Sequence, residues 1–339
     1  MSSRPAQQPS PQLFFQTVNS YQRTEALKAA IELDVFTAIA EGARTASEIS
    51  ARCKTSERGM RILCDFLCIM GFLTKDGQTY ALTPDSAMFL DKRSPAYLGG
   101  TIEFMLSPVL SENFKDFAEL VRRGGTTAEE GGTIAPEHPV WVKFARAMAP
   151  MMALPARLMA QLVDPEADKK LKILDIAAGH GLYGIAFAEK NPAVEVVALD
   201  WPSVLEVAKE NAEKAGLANR YSTIEGNAFD AEFGKDYDLV LLTNFLHHFD
   251  PPTCEKLLVK VRGALKEGGK AVTLEFVPNE DRISPPESAG FSVMMLGSTP
   301  AGDAYTFSEL DRMFRNAGYS HSELHALPPS IQQVVISTK

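Results

Sequence analysis

The segment LDIAAGHGLYG, residues 174–184, constrains the fold of this chain more than any other. An apolar run, KILDIAA (172–178), reaches the closely spaced Gly179, Gly181 and Gly184, and a helical pattern begins at Leu182. Glycines let the backbone turn tightly and approach a ligand. The same rhythm then repeats: VEVVALD (194–200), a helix over 203–215 closed by Gly216, YDLVLLTN (237–244), a helix over 252–266, and KAVTLEFV (270–277). From Phe307 to Lys339 the pattern adds a helix and two further strands. Apolar strands alternating with helices imply a largely parallel α/β sheet of Rossmann-like type, covered on both faces.

Gly179, Gly181 and Gly184 spell the GxGxxG of dinucleotide sites. Asp200 closes the second strand, where an acid grips ribose hydroxyls. Asp175, four residues before Gly179, argues against a dinucleotide. A carboxylate pointing toward this turn would repel a pyrophosphate, whereas it would attract the ammonium and sulfonium of S-adenosylmethionine. The pattern therefore favours S-adenosylmethionine. The competing reading is that the glycines serve only helix-on-strand packing. GNAF (226–229) follows the third strand, where Asn227 could accept a hydrogen bond from an adenine amino group and Phe229 could lie against the ring. An ordinary turn explains it as well. Trp201 could cover the adenosine or belong to the core.

Upstream, the pattern is helical with a short strand pair. ALKAAIELDVFTAIAEG (26–42) reads as one helix ended by Gly42. Thr45 and Glu48 have capping-box spacing, and Ser56 opens another helix. Asp76-Gly77 between two alternating runs signals a hairpin. Three helices and a hairpin make a winged helix. Residues 122–139 are rich in Gly, Thr and Pro and read as a long loop, followed by a Met-rich helix over 141–163.

The composition excludes several classes. A formal charge of −9 repels phosphate backbones, so no nucleic-acid partner is expected. The helix over 56–72 mixes Arg58 and Arg61 with Glu57 and Asp65, which is not a DNA-reading face. No apolar run is long enough for a membrane helix, and the polar first dozen residues carry no signal core. The four cysteines form no CxxC pair, which suits a cytoplasmic setting, and the histidines show no metal spacing, so no metal is expected.

His247-His248 follows the fourth strand, at the carboxyl end of the sheet where open α/β folds place ligands. Adjacent side chains diverge, so one of the pair faces a pocket and the other is structural. Asp250, before Pro251-Pro252, reads as a helix cap. Eight residues are candidates for an apolar acceptor pocket, or for plain core: Met105, Phe144, Met148, Met151, Met152, Phe291, Met294 and Met295. Such a lining would suit a neutral aromatic or polyene acceptor.

Taken together, AIELDVFTAI, FARAM, LDIAAGHG, ALDWPSV, GNAF, LHHFDPPTCEKLL and FRNAGY resemble, in order, the S-adenosylmethionine-dependent small-molecule O-methyltransferases with an N-terminal winged-helix dimerisation domain. The resemblance implies a mostly parallel seven-stranded sheet over 106–339, with substrate-pocket helices over 106–165, preceded by a mainly α dimerisation domain over 1–105. It implies cofactor binding by Asp175, Gly179, Gly181, Asp200, Asn227 and Ala228, a set that Trp201, Phe229 and Thr243 are expected to join. Phe144, Met148 and Met295 sit at its acceptor-pocket positions. It also implies an intertwined homodimer and His247 as base, acting on a phenolic or enolic hydroxyl of a small secondary metabolite. Family glycines are replaced by Ala177 and Ala178, and a family acid by Asn227. Two acids flank the base in plant members. An ungapped reading puts Ala304 and an aliphatic residue near Val335 there, with Asp303 as neighbour. That leaves three alternatives open: a C- or N-methyltransferase, a non-methylating enzyme that binds the same cofactor, and a ligand-sensing regulator.

Overall fold

A computed structural model describes residues 9–164 and 167–339, so most of the polar N-terminal arm, and the end of the 106–165 stretch, lie outside the described residues. The chain divides between Ile102 and Glu103 into two compact units.

The N-terminal unit is helical, with one hairpin of β1 (Leu73–Asp76) and β2 (Thr79–Leu82), paired antiparallel around Gly77. The capping box forms as expected: Thr45 accepts from Glu48 N, and Glu48 Oε2 accepts from Thr45 N at 2.9 Å. Ser56 caps the helix Glu57–Met70 by accepting from Gly59 N. The single helix expected over 26–42 is instead two, Ser20–Glu32 and Val35–Ala40. Asp34 adopts φ +58° between them, a left-handed kink that a short polar side chain tolerates. The kink lets Ala30, Phe36 and Ile39 share one core with Ile49, Met60, Leu67 and Tyr80.

The second unit is built on seven strands: β3 (Leu171–Ile176), β4 (Val194–Asp200), β5 (Tyr221–Glu225), β6 (Tyr237–Thr243), β7 (Leu265–Glu275), β8 (His321–Ala326) and β9 (Gln333–Thr338). Their spatial order is β5-β4-β3-β6-β7-β9-β8, and β9 alone runs opposite to the other six. Alternate strand residues feed two cores. Ile173, Leu239, Leu241 and Val272 pack with Met152, Ala156 and Met159 of the long helix Val140–Val163. Leu174, Val240, Leu242 and Ala271 pack on the opposite face with Leu257, Leu258 and Phe314. The chain runs outward from β3 through β4 to β5, then returns to β6 on the other side of β3. That reversal opens a crevice at the carboxyl ends of β3 and β6, the place where such sheets bind ligands.

Candidate active site

The turn after β3 differs from the sequence reading in what its residues face. Expected to point toward the turn, Asp175 is instead fully buried beneath the helix Leu182–Lys190. Its Oδ2 accepts from Gly184 N at 3.1 Å, while Oδ1 has no partner among the described residues. Burial pushes its pKa up to about 7, a shift that the Gly184 bond opposes and the nearby Asp200 reinforces. A Cβ on Gly184 would lie 2.7 Å from Val196 Cγ1, so this glycine serves the packing of helix on strand. Gly181, at φ +74°, faces the helix Pro202–Lys214 and Tyr221, where a Cβ would meet the Tyr221 hydroxyl at 2.5 Å. Gly179, at φ +58°, has the open side: a Cβ there would first meet Phe144, at 3.7 Å. Ala177 holds φ +52° without being glycine.

Asp200 ends β4 beside this turn. Its Oδ2 accepts from Gly179 N at 2.8 Å and its Oδ1 from Trp201 N at 2.7 Å. Burial raises its pKa to about 6 against those two bonds. Each oxygen retains a lone pair, enough to receive ribose hydroxyls. Trp201 packs with Ala145, Val204, Val207, Trp141 and Val142, so part of its surface is core. In the 226–229 loop, Asn227 Oδ1 already accepts from Phe229 N at 3.0 Å. One lone pair of this amide oxygen is thus taken up by the turn, and the other remains to accept. Phe229 stands edge-on to Phe249, centroids 5.0 Å apart. Ala228 is buried at the centre of this loop, and Thr243 is buried at the end of β6.

The residues at the β3–β4 end fit a cationic, ribose-bearing cofactor and not a dinucleotide. Asp200 borders the turn through Gly179 N–H, and the Asp175 carboxylate is buried just behind it, so the local charge is acidic where a dinucleotide would bring a pyrophosphate.

Across the crevice, His247 lies in a short 3₁₀ turn, Leu246–His248, that caps β6. Its Nδ1 is 2.5 Å from Glu275 Oε2, and both side chains are buried. Glu275 ends β7, the neighbouring strand, and its Oε1 accepts from Phe245 N (3.1 Å) and Leu246 N (3.0 Å), with His247 N further off at 3.4 Å. This carboxylate corrects the expectation about the flanking positions. Ala304 and Val335 are buried apolar residues, and Asp303 is turned to Arg282 and its own neighbour's N–H. The acid that holds the histidine is 28 residues after it, at a strand end. A signal was available, since a lone acid closing the apolar run KAVTLE is as unusual as Asp200 closing VEVVALD.

With Nδ1–H directed at Glu275, His247 Nε2 is left without a hydrogen-bond partner among the described residues. His248 is also buried, its Nδ1 unpartnered among the described residues, and burial together with His247 holds it well below the ordinary imidazole range. It therefore stays neutral. Trp141 stands edge-on to His248 at 5.2 Å and to Phe144 at 5.7 Å, and Phe144 stacks on His180 at 6.2 Å. His180 is held neutral by burial, its pKa pushed down to about 4, and Nδ1 accepts from Leu182 N at 3.2 Å. Phe291 lies edge-on to His247 at 4.9 Å and stacks on Phe276 at 4.0 Å. Among the eight apolar candidates, Phe291 thus stands against the histidine. Met148 and Met152 are buried in the core, Met295 is buried too, and Met105 is 47% exposed. Asp250 caps the following helix Pro251–Ala264, accepting from Thr253 N at 2.9 Å. Among the described residues no three His, Cys, Asp or Glu side chains are grouped to hold a metal, and no helix is long and apolar enough to cross a membrane.

The family profile of the O-methyltransferase domain matches residues 129–320, more than half of the chain. The chain belongs to the O-methyltransferase family. The profile of the O-methyltransferase dimerisation domain matches residues 15–92, so this O-methyltransferase carries a dimerisation domain. It is 57% identical to a protein of Nostoc punctiforme provisionally described as an O-methyltransferase, whose crystal structure superposes with a TM-score of 0.94 over 98% of this chain and 100% of that one. It is 28% identical to the 3-hydroxy-5-methyl-1-naphthoate 3-O-methyltransferase of Streptomyces sahachiroi, over 94% of this chain and 92% of that enzyme. Human N-acetylserotonin methyltransferase, solved with S-adenosylmethionine, shares the fold at a TM-score of 0.84 and 20% identity, covering 99% of each chain. The protein is an S-adenosylmethionine-dependent O-methyltransferase of natural-product type.

Proposed function

We propose that this O-methyltransferase methylates a phenolic or enolic hydroxyl on a flat, neutral small molecule, with His247 as general base. The observation that carries the reading is the 2.5 Å contact of His247 Nδ1 with Glu275 Oε2, which directs a bare Nε2 away from the strand ends. S-adenosylmethionine supplies the methyl group, on a sulfonium that is already activated. What remains for the protein is to orient the acceptor oxygen and remove its proton. His247 Nε2 receives that proton as the oxygen attacks, and Glu275 stabilises the imidazolium that results. His248 stays neutral beside it and does not compete for the proton.

Asp175, Gly179, Gly181, Asp200, Trp201, Asn227, Ala228, Phe229 and Thr243 are proposed as the cofactor side. Gly181 and Trp201 act there partly by packing. Phe144, Met148 and Met295 are proposed for the acceptor pocket, and the contacts of Phe291 and Trp141 place those two rings beside the histidines. The naphthoate specificity of one relative agrees with a flat aromatic acceptor. We further propose that residues 1–105 dimerise through an apolar face: Leu13, Phe14, Phe15, Val18, Tyr21 and Ile69 are all more than half exposed. A cytoplasmic setting fits four free cysteines.

Incubation with methyl-labelled S-adenosylmethionine and a panel of phenols, amines and enolic polyketides tests this. Label on a phenolic oxygen, lost in His247→Ala, is the expected result. Transfer only to carbon or nitrogen, or unchanged transfer by His247→Ala, would overturn it.

A further inference from the structure

The loop that follows β5 is closed from within on its donor side and from outside on its acceptor side. Asn227 Oδ1 takes the N–H of Phe229, and Asn227 O takes those of Asp230 (3.0 Å) and Ala231 (2.8 Å). These bonds leave the carbonyls of Ala228 and Phe229 pointing out of the turn. Both are met by one side chain, Lys260, whose Nζ donates to Ala228 O at 3.1 Å and Phe229 O at 2.9 Å. The ammonium also lies 4.3 Å from the centroid of the Phe233 ring. No family motif in the sequence draws attention to this lysine, which lies in the middle of a helix, and its stem and charge would ordinarily be read as a solvated face.

We propose that Lys260 is a positioning residue for the adenine end of the cofactor site. It fixes the 226–229 loop so that Ala228 N–H and the Asn227 amide are held at one setting. Ala228 N–H has no hydrogen bond among the described residues, which leaves it free to donate. This rests on the reading that the loop faces adenine. A lysine suits the task because three ammonium donors can serve two adjacent carbonyls and still keep one for solvent. Bonds to a charged donor are roughly twice as strong as neutral ones. Burial acts on Lys260 in the opposite sense, lowering its basicity, and Glu232 and Asp230 counter it.

The placement has a second consequence. Lys260 belongs to the helix Pro251–Ala264, whose first turn is fixed by the Asp250 cap just after His247-His248. At ~1.5 Å per residue the lysine lies about 15 Å along that helix from the cap. One rigid rod thus spans from the turn carrying the base to the loop assigned to adenine. Phe249, packed on Phe229, makes a second, apolar tie between the same two segments.

The full-length enzyme serves for the test, with Lys260→Met, Lys260→Arg and, as a milder substitution, Lys260→Gln. Calorimetry with S-adenosylhomocysteine gives affinity, and steady-state assays give KM for S-adenosylmethionine and kcat. Asn227→Ala and Asp200→Ala report on the site itself. The expected result for Lys260→Met is about tenfold weaker binding of S-adenosylhomocysteine. Its KM for S-adenosylmethionine should rise likewise, with kcat at saturation within about twofold, and Lys260→Arg should recover most of the loss. A lysine that only props the fold would lower the unfolding midpoint and kcat together without moving KM, and that outcome overturns the proposal. Unchanged affinity in both Lys260→Met and Lys260→Gln, with Asn227→Ala weakened, also overturns it while leaving the adenine assignment standing. If Lys260→Met and Asn227→Ala both bind normally while Asp200→Ala does not, the adenine assignment of the loop is itself wrong.

Discussion

Replacing Glu275 by Gln tests the site at its most informative atom pair. The side chain keeps its size, and its oxygen can still face the backbone N–H groups of Phe245 and Leu246, now 3.1 and 3.0 Å from Oε1. If it does, the amide NH₂ is turned to His247 Nδ1, which must then accept. The imidazole proton moves to Nε2, where the base is needed bare. Two losses follow: the wrong tautomer, and the missing charge that stabilises the imidazolium. A charge-assisted hydrogen bond is worth about 1.5–3 kcal/mol, and a positioned general base about 10²–10⁴ in rate. Glu275→Gln should therefore lower kcat by about 10³ with KM for S-adenosylmethionine nearly unchanged. The assay is a pH–rate profile with two acceptors whose hydroxyls differ in acidity. An acceptor that ionises by itself needs no base, so the deficit should shrink toward high pH, and sooner for the more acidic phenol. Glu275→Ala provides the contrast, because it also strands the backbone donors and should destabilise the fold by a few kcal/mol. A Glu275→Gln enzyme within threefold of the parent, or one whose deficit is the same for both acceptors at every pH, would refute the reasoning.

Three further predictions address the glycine turn. Ala177→Gly relieves a left-handed alanine whose strain is about 1–2 kcal/mol; glycine's extra chain entropy offsets up to about 1 kcal/mol, so urea unfolding should show a net gain near 0.5–1 kcal/mol. Gly184→Ala forces a methyl to 2.7 Å from Val196 Cγ1 and should cost about 1–3 kcal/mol by overpacking, with loss of S-adenosylhomocysteine binding in calorimetry. Asp175 is an acid whose pKa in the folded protein, about 7, lies above its ordinary 3.8. From about pH 4 upward the unfolded chain has already released this proton while the folded chain retains it, so stability falls as pH rises through about 7. Thermal unfolding without cofactor should therefore lose stability over that window, by a few kcal/mol at most, and Asp175→Asn should flatten the slope.

Which features the sequence discloses follows from how local their causes are. The β3 turn, Asp200 at the end of β4, the Thr45 box, the Asp76-Gly77 hairpin and the Asp250 cap are all decided within a few residues, and each is legible as a spacing. Asp34 breaks an otherwise continuous helical pattern because the core of its unit needs a bend there, and no local signal requires one. Glu275 is harder still. It reaches His247 because β6 and β7 are parallel neighbours, so that their carboxyl ends, Thr243 and Glu275, finish side by side although the chain between them carries a whole helix. Counting along an ungapped pattern instead lands on Ala304 and Val335, because insertions lie in the loops while register is kept in the strands. The topology supplies a better rule: once β3 to β7 are ordered, polar residues at their carboxyl ends become neighbours whatever their spacing. Applied to this chain, that rule collects Asp175, Asp200, Thr243 and Glu275 from four apolar runs. Each is buried at the end of a run whose neighbouring buried positions are mostly aliphatic, a placement that costs stability unless the group is bonded or used. Glu275 and Asp200 are bonded on both oxygens, whereas Asp175 keeps one oxygen without a partner among the described residues. Two buried polar atoms near the crevice are thus left unsatisfied among the described residues, Asp175 Oδ1 behind the β3 turn and His248 Nδ1 beside His247, and these are the atoms whose burial the fold alone does not offset.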